Sequence, residues 1–280
     1  MTRDISAILE EWEFQPGQLA ARVIAGEDGE PRLQVRLDLG MLQMHLEGRP
    51  DGQSPMGFRS LLDYFESQFE ATRTDGREPF GSSRHEEMSG EEPEGMDSRE
   101  SEGEDISSVP KQQLEPEECR GLREELSQFN QRAVALMAMD DFERVVRDAG
   151  RNLRVLDMCR ERASAEQDQT VLEQYRPYFI AMKFRAQANM AVRDHEVKAA
   201  VLVLDEGLDA LKASFAQAGK AGAFEQSPEA QSLRSLRESI VPQLPLSQRS
   251  ELRRRLAEAL EQENYELAAI LRDELKQLKE

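Results

Sequence analysis

Histidine, cysteine and tryptophan are scarce here: three, two and one among 280 residues. The histidines, His45, His85 and His195, are far apart, and none has a second ligand at metal spacing. Cys119 and Cys159 stand isolated in the chain, which excludes a disulfide framework or a CxxC metal knuckle. Phosphate-binding GxxxxGK[ST], dinucleotide-binding GxGxxG, HExxH and GxSxG are all missing. No apolar run is long enough to cross a bilayer, and Met1-Thr2-Arg3-Asp4 begins no signal peptide, so a cytoplasmic, non-membrane protein is expected. Basic residues are also outnumbered, 36 Lys/Arg against 55 Asp/Glu. Direct nucleic-acid binding, which needs clustered cations to displace phosphate counterions, is disfavoured. The reading is of no enzyme, with no catalytic residue, no cofactor and no metal site.

What is present is unevenly distributed. Residues 75–118 hold 15 acidic and 4 basic side chains and account for most of the net charge of -19. With abundant Glu, Gly, Ser and Pro and hardly any large apolar residue, this stretch has the composition of a disordered, self-repelling linker. It reads either as a solvated spacer or as an acidic interaction tail.

Before the linker, a short helix from Asp4 to about Trp12 precedes three strand-like runs, Ala20–Ala25, Arg32–Leu39 and Met41–Glu47. Glu27-Asp28-Gly29 supplies a hairpin turn, and Gly40 marks a bulge or tight bend. Residues 32–39 alternate polar and apolar, as a half-buried strand does. Arg49-Pro50-Asp51-Gly52 is a turn, and Gly57–Thr72 is an amphipathic helix presenting Phe58, Leu61, Leu62, Phe65 and Phe69.

After Pro116 the pattern is helical: to about Met139, Phe142 to about Met158, about Gln167–Val192, Glu196–Ala216 and Gln226–Val241, the last ended by Pro242 and Pro245. The two central pairs resemble tetratricopeptide hairpins. The resemblance rests on Ala133, Leu136, Asp141-Phe142 and Leu153, then on Ala188, Ala191, Ala200, Leu204, Gly207 and Leu208. Val145 and Asn152 depart from the pattern. Arg144, Arg147, Arg151 and Arg154 recur on one helix face and read either as an anion groove or as a solvated face paired with nearby acids.

The last stretch, Ser247–Glu280, carries two short amphipathic helices. Leu252, Leu256, Ala259 and Leu260 mark the first; Leu267, Ile270, Leu271, Leu275 and Leu278 mark the second. Glu263-Asn264 breaks between them, with Asn264 as N-cap. So few large apolar residues cannot offset the entropy of ordering the hairpin alone, so a further apolar surface is required. Arg253-Arg254-Arg255 reads as a charged rim for a partner.

The run from Glu263 to Leu275, with its Ala268-Ala269 pair and Leu271-Arg272-Asp273-Glu274 block, resembles the UVR (UvrB/UvrC) motif of bacterial proteins. That resemblance implies a helical hairpin for protein–protein contact, found in excision-repair subunits, Clp-type ATPases and their activators. The residues expected to meet a partner are Leu256, Leu260, Tyr265, Leu267, Ala268, Leu271, Arg272 and Leu275. Leu256, Leu260, Leu267, Leu271 and Leu275 would form a buried seam, with Tyr265 packed at the tip. The expectation is a non-enzymatic adaptor whose hairpin docks a protein carrying a related hairpin, or a second copy as a homodimer. The alternatives are an accessory factor of nucleotide excision repair and an activator of a Clp-type ATPase, the latter weakened by the missing CxxC pairs.

The expected fold class is α+β, mostly α. Its parts are a β-meander domain with helices over 1–74, the linker over 75–116, helical-repeat-like hairpins over 117–244, and the UVR hairpin over 245–280.

Overall fold

A computed structural model describes residues 5–75, 113–241, 248–262 and 264–277. The side chains of 72–75, 248–253 and 273–277 are outside that description. Most of the acidic stretch, His85, Pro242, Pro245 and Leu278 also lie outside the described residues, as do the side chains of Leu252, Arg253, Asp273 and Leu275.

The fold is mostly helical with a small N-terminal antiparallel sheet, as the residue patterning implies. The chain divides into two compact units, Met1–Phe179 and Ile180–Glu280.

In the first unit, α1 (Ser6–Glu11) leads into a meander of β1 (Ala20–Ala25), β2 (Pro31–Leu37) and β3 (Gly40–His45). Ala20 pairs with Arg36 and Ala25 with Pro31, while Arg32 pairs with His45 and Leu37 with Gly40. Gly40 is therefore a regular member of β3, and the bend falls on Asp38-Leu39. The central strand is not half-buried. All five residues from Arg32 to Arg36 are buried, with Leu33 and Val35 on one face and Arg32, Gln34 and Arg36 on the other. The polar face is closed by its own hydrogen bonds. Gln34 bridges Arg22 and Gln43, both at 2.9 Å, and Arg36 Nε donates to the Trp12 carbonyl at 2.8 Å. Arg22 also lies 4.1 Å from the Trp12 ring centre. Alternation thus tracks the two faces correctly but says nothing about what covers the polar one.

A turn after β3 hydrogen-bonds His45 N–H to Pro50 O at 2.8 Å. Gly52 has φ of +77°, and a Cβ there would lie 2.4 Å from the His45 ring, so conformation and space both require glycine. Helix α2 (Leu61–Asp75) buries Leu62, Phe65 and Phe69. They pack against Leu122 and Leu126 of α3 (Pro116–Ala138) and Val155 and Leu156 of α4 (Phe142–Arg162). Phe58 precedes α2 and meets Tyr64 edge-on at 5.5 Å.

Helix α3 begins with a capping box between Glu115 and Glu118 and with Pro116 in its first turn. Asp140 takes a left-handed φ of 58°, and Asp141 caps α4 by accepting from Arg144 N–H at 3.3 Å. Val145 and Asn152, the departures from the tetratricopeptide pattern, are fully buried; Asn152 Nδ2 donates to Leu126 O at 3.2 Å. The cysteines are not isolated in space: Cys119 of α3 and Cys159 of α4 are buried in one apolar cluster.

The helix expected over Gln167–Val192 is interrupted. A short α5 (Glu166–Thr170) and a 3-10 turn (Glu173–Tyr175) precede α6 (Arg176–Arg193). Pro177 is the reason. Without an N–H it cannot extend a helix arriving from Thr170, but it is tolerated in the first turn of a new one. Arg176 anchors that start through Glu173 at 2.6 and 2.7 Å.

In the second unit, α7 (Val197–Gln217) follows a joint at His195, whose φ is 61°. Ala200, Leu204, Gly207 and Leu211 form its buried stripe. Ser227 caps α8 (Pro228–Ile240) by accepting from Ala230 N–H at 3.1 Å. The unit ends with α9 (Gln248–Glu261) and α10 (Tyr265–Gln277).

Candidate functional site

Helices α9 and α10 form an antiparallel pair closed by the residues around Asn264. Asn264 Oδ1 accepts from Leu267 N–H at 3.1 Å, and Asn264 N–H donates to Ala259 O at 2.8 Å. The first bond starts α10 and the second ends α9, so one residue sets both helix boundaries.

The seam consists of Ala259, Ala268 and Leu271, with Leu256 and Leu267 partly buried against them. Ala259 facing Ala268 lets the helices approach closely, with Leu271 filling the space beside them. Leu260, at 51 % exposure, is outside this seam, contrary to expectation, and Ile270, at 59 %, is outside it too. Helical geometry explains both. Ala259 and Leu256 define the inner line of α9, and Leu260 lies one residue around from Ala259. In α10, Leu267, Ala268 and Leu271 define the inner line, and Ile270 falls about 100° before Leu271. Tyr265, at 67 % exposure, stands out from the tip rather than packing there. Arg272 is exposed, and the Leu275 side chain is outside the described residues. Of the rim triplet, Arg254 and Arg255 are exposed, and Arg254 pairs with Glu258 at 3.4 Å.

A small seam of alanines and leucines, a capped tip and a surface carrying Leu260, Tyr265 and Ile270 together describe a helical hairpin with apolar groups left outside. Residues 247–280 match the UvrB/uvrC motif family. This segment is a UVR motif. UVR motifs mediate protein–protein interactions and occur in DNA-repair and Clp-associated proteins. No curated protein and no solved structure matches the chain. Ala268, the first of the motif's alanine pair, is the one that packs inward; Ala269 is exposed.

The arginine face of α4 belongs to the first unit, and its partners come from distant segments. Arg144 Nε and Arg147 Nη1 both reach Glu47, at 2.9 and 2.6 Å, and Arg147 Nη2 donates to Leu46 O at 2.8 Å. Arg154 Nε donates to Glu66 at 2.9 Å. Arg151 is buried, pairs with Glu125 and lies 4.0 Å from the Phe129 ring centre. Burial pulls the Arg151 guanidinium well below its usual pKa; Asp63 and Glu66 favour its charge, and Arg154 and Arg49 oppose it. Beside this face is a cavity of about 180 Å³, reaching Arg59, Ser60 and Asp63 at the start of α2.

Among the described residues, no group of three or more His, Cys, Asp or Glu could hold a metal ion. No described helix is long and apolar enough to cross a membrane.

Proposed function

We propose that this protein is a non-enzymatic adaptor whose UVR hairpin docks a partner protein. The observation that carries this reading is the placement of Leu260, Tyr265 and Ile270. All three are more than half exposed on a hairpin whose own buried cluster is Ala259, Ala268 and Leu271. Large exposed apolar side chains on so small an element suit a docking surface, because a partner gains their burial without refolding the element. The flanking Arg254, Arg255 and Arg272 supply a polar rim that selects the partner's charge.

The partner class that fits is another helical hairpin, carried by a UVR-bearing protein or by a second copy of this chain. The test uses the full chain immobilised against a purified excision-repair subunit with a UVR motif, a UVR-bearing Clp-type ATPase, and itself. Leu260→Asp combined with Tyr265→Asp should weaken the productive pair at least tenfold while leaving far-UV circular dichroism unchanged. Wild-type affinity in the double variant for every partner bound would refute the reading.

A further inference from the structure

The cavity beside α4 leaves hydrogen-bonding capacity unspent. Arg59 is exposed and has no hydrogen-bond or ion-pair partner among the described residues. Ser60, 3 % exposed, accepts from Asp63 N–H at 3.1 Å, and its own hydroxyl hydrogen has no acceptor among the described residues. Arg151, 5 % exposed, directs Nη1 to Asn152 at 3.1 Å and Nη2 to Glu125, while its buried Nε–H has no acceptor among the described residues. Three residues with unspent donors therefore line one cavity. One of them is a guanidinium whose charge burial disfavours. The start of α2, a helix of 15 residues, adds the positive end of its dipole through Ser60.

The remaining charges on the wall decide which anion is accepted. Glu47 and Asp148 are already held by Arg144, Arg147 and Arg132. Asp63 is different: no hydrogen-bonded cation neutralises it among the described residues. A carboxylate at that position repels an oxyanion with no proton, such as sulfate. It accepts a hydrogen bond from an oxyanion that keeps one. Inorganic phosphate keeps a proton near neutral pH, whereas a phosphomonoester has lost its last above a pKa of about 6. A cavity of about 180 Å³ has room for phosphate.

We propose that this cavity binds inorganic phosphate. Arg59, Ser60 and Arg151 donate to its oxygens, and Asp63 accepts its P–OH. The site is independent of the hairpin and of the docking function assigned to it.

Calorimetric titration of the full chain with inorganic phosphate at pH 7.5 tests this, with sulfate and methyl phosphate at matched ionic strength as comparisons. Saturable phosphate binding is expected, with sulfate and methyl phosphate at least tenfold weaker. Arg59→Ala removes an exposed side chain with no hydrogen bond or ion pair among the described residues and should weaken phosphate at least tenfold with the melting temperature unchanged. Asp63→Asn should erase the preference for phosphate over sulfate. Should Asp63→Asn fail to fold, methyl phosphate replaces it as the readout, its binding recovering as pH falls towards about 6. Absence of saturable phosphate binding, equal binding of sulfate by the wild type, or undiminished binding by Arg59→Ala would overturn the proposal.

Discussion

Arg132 of α3 and Asp148 of α4 make a two-point ion pair at 2.7 and 2.9 Å, with neither side chain exposed. The same guanidinium donates to His45 O at 2.9 Å and Gly48 O at 2.8 Å. One side chain thus links α3 to α4 and both to the end of the sheet. Such a pair gains little over an apolar replacement, yet breaking half of it leaves a buried charge unmatched. Asp148→Ala should therefore cost about 3–5 kcal/mol in urea unfolding. Replacing both partners, as in Arg132→Met with Asp148→Leu, should cost less than the single change. A double variant as unstable as Asp148→Ala would contradict this.

Glu47 extends the same contact at the surface. Partial burial works to raise its pKa, but the hydrogen bond from Arg144 and the charges of Arg147 and Arg144 outweigh it, holding the carboxyl below its ordinary 4.5. A lowered pKa in the folded state means the carboxylate contributes stability above 4.5, and that contribution disappears as pH falls through the lowered value. Wild type should exceed Glu47→Gln in stability at neutral pH, and the two should converge below the ordinary glutamate range. Parallel stability curves down to low pH would show that the Glu47 pairs contribute nothing.

Much of this architecture was legible in the chain because its signals are local. Asp28-Gly29 and Asp51-Gly52 marked turns, Asn264 marked a cap, and leucine–alanine spacing marked the hairpin helices. What escaped was non-local or ambiguous by one residue. Arg147 finds Glu47 across 100 positions, and Cys119 meets Cys159 across α3 and α4, so neither pairing is written nearby. Leu260 and Ile270 fit a helical period as well as their buried neighbours do, and only the partner helix decides which line faces in. Pro177 was a local signal, and its consequence for the helix through it is plain once α6 is seen to start there.

Gly207 of α7 shows what a small residue in a helical repeat pattern can be for. A Cβ there would lie 2.8 Å from Phe184 Cβ and Cγ and 3.1 Å from Leu233 Cδ1. Alanine would gain about 1 kcal/mol of helix propensity, but overpacking a rigid ring typically costs about 1–3 kcal/mol. Gly207→Ala should lower the melting temperature, and Gly207→Ala with Leu233→Ala should not recover it, because Phe184 is the closer obstacle. A melting temperature at or above wild type for Gly207→Ala would mean that α6 and α7 separate freely here.

The hairpin allows its folding and its docking to be separated by two kinds of variant. Asn264→Ala removes the Oδ1 acceptor of Leu267 N–H and should cost about 1 kcal/mol, loosening α10 from its first turn. Leu271→Asp places a charge in the seam beside Ala259 and Ala268, at 2 % exposure, and should unfold the hairpin. Both should reduce partner affinity in proportion to hairpin helicity, measured by hydrogen exchange across residues 248–277. Leu260→Asp should reduce affinity with exchange unchanged, because its side chain lies outside the seam. If Leu260→Asp instead accelerates exchange as Leu271→Asp does, Leu260 belongs to the folded seam, and the docking surface must be sought on Ile270 and Tyr265 alone.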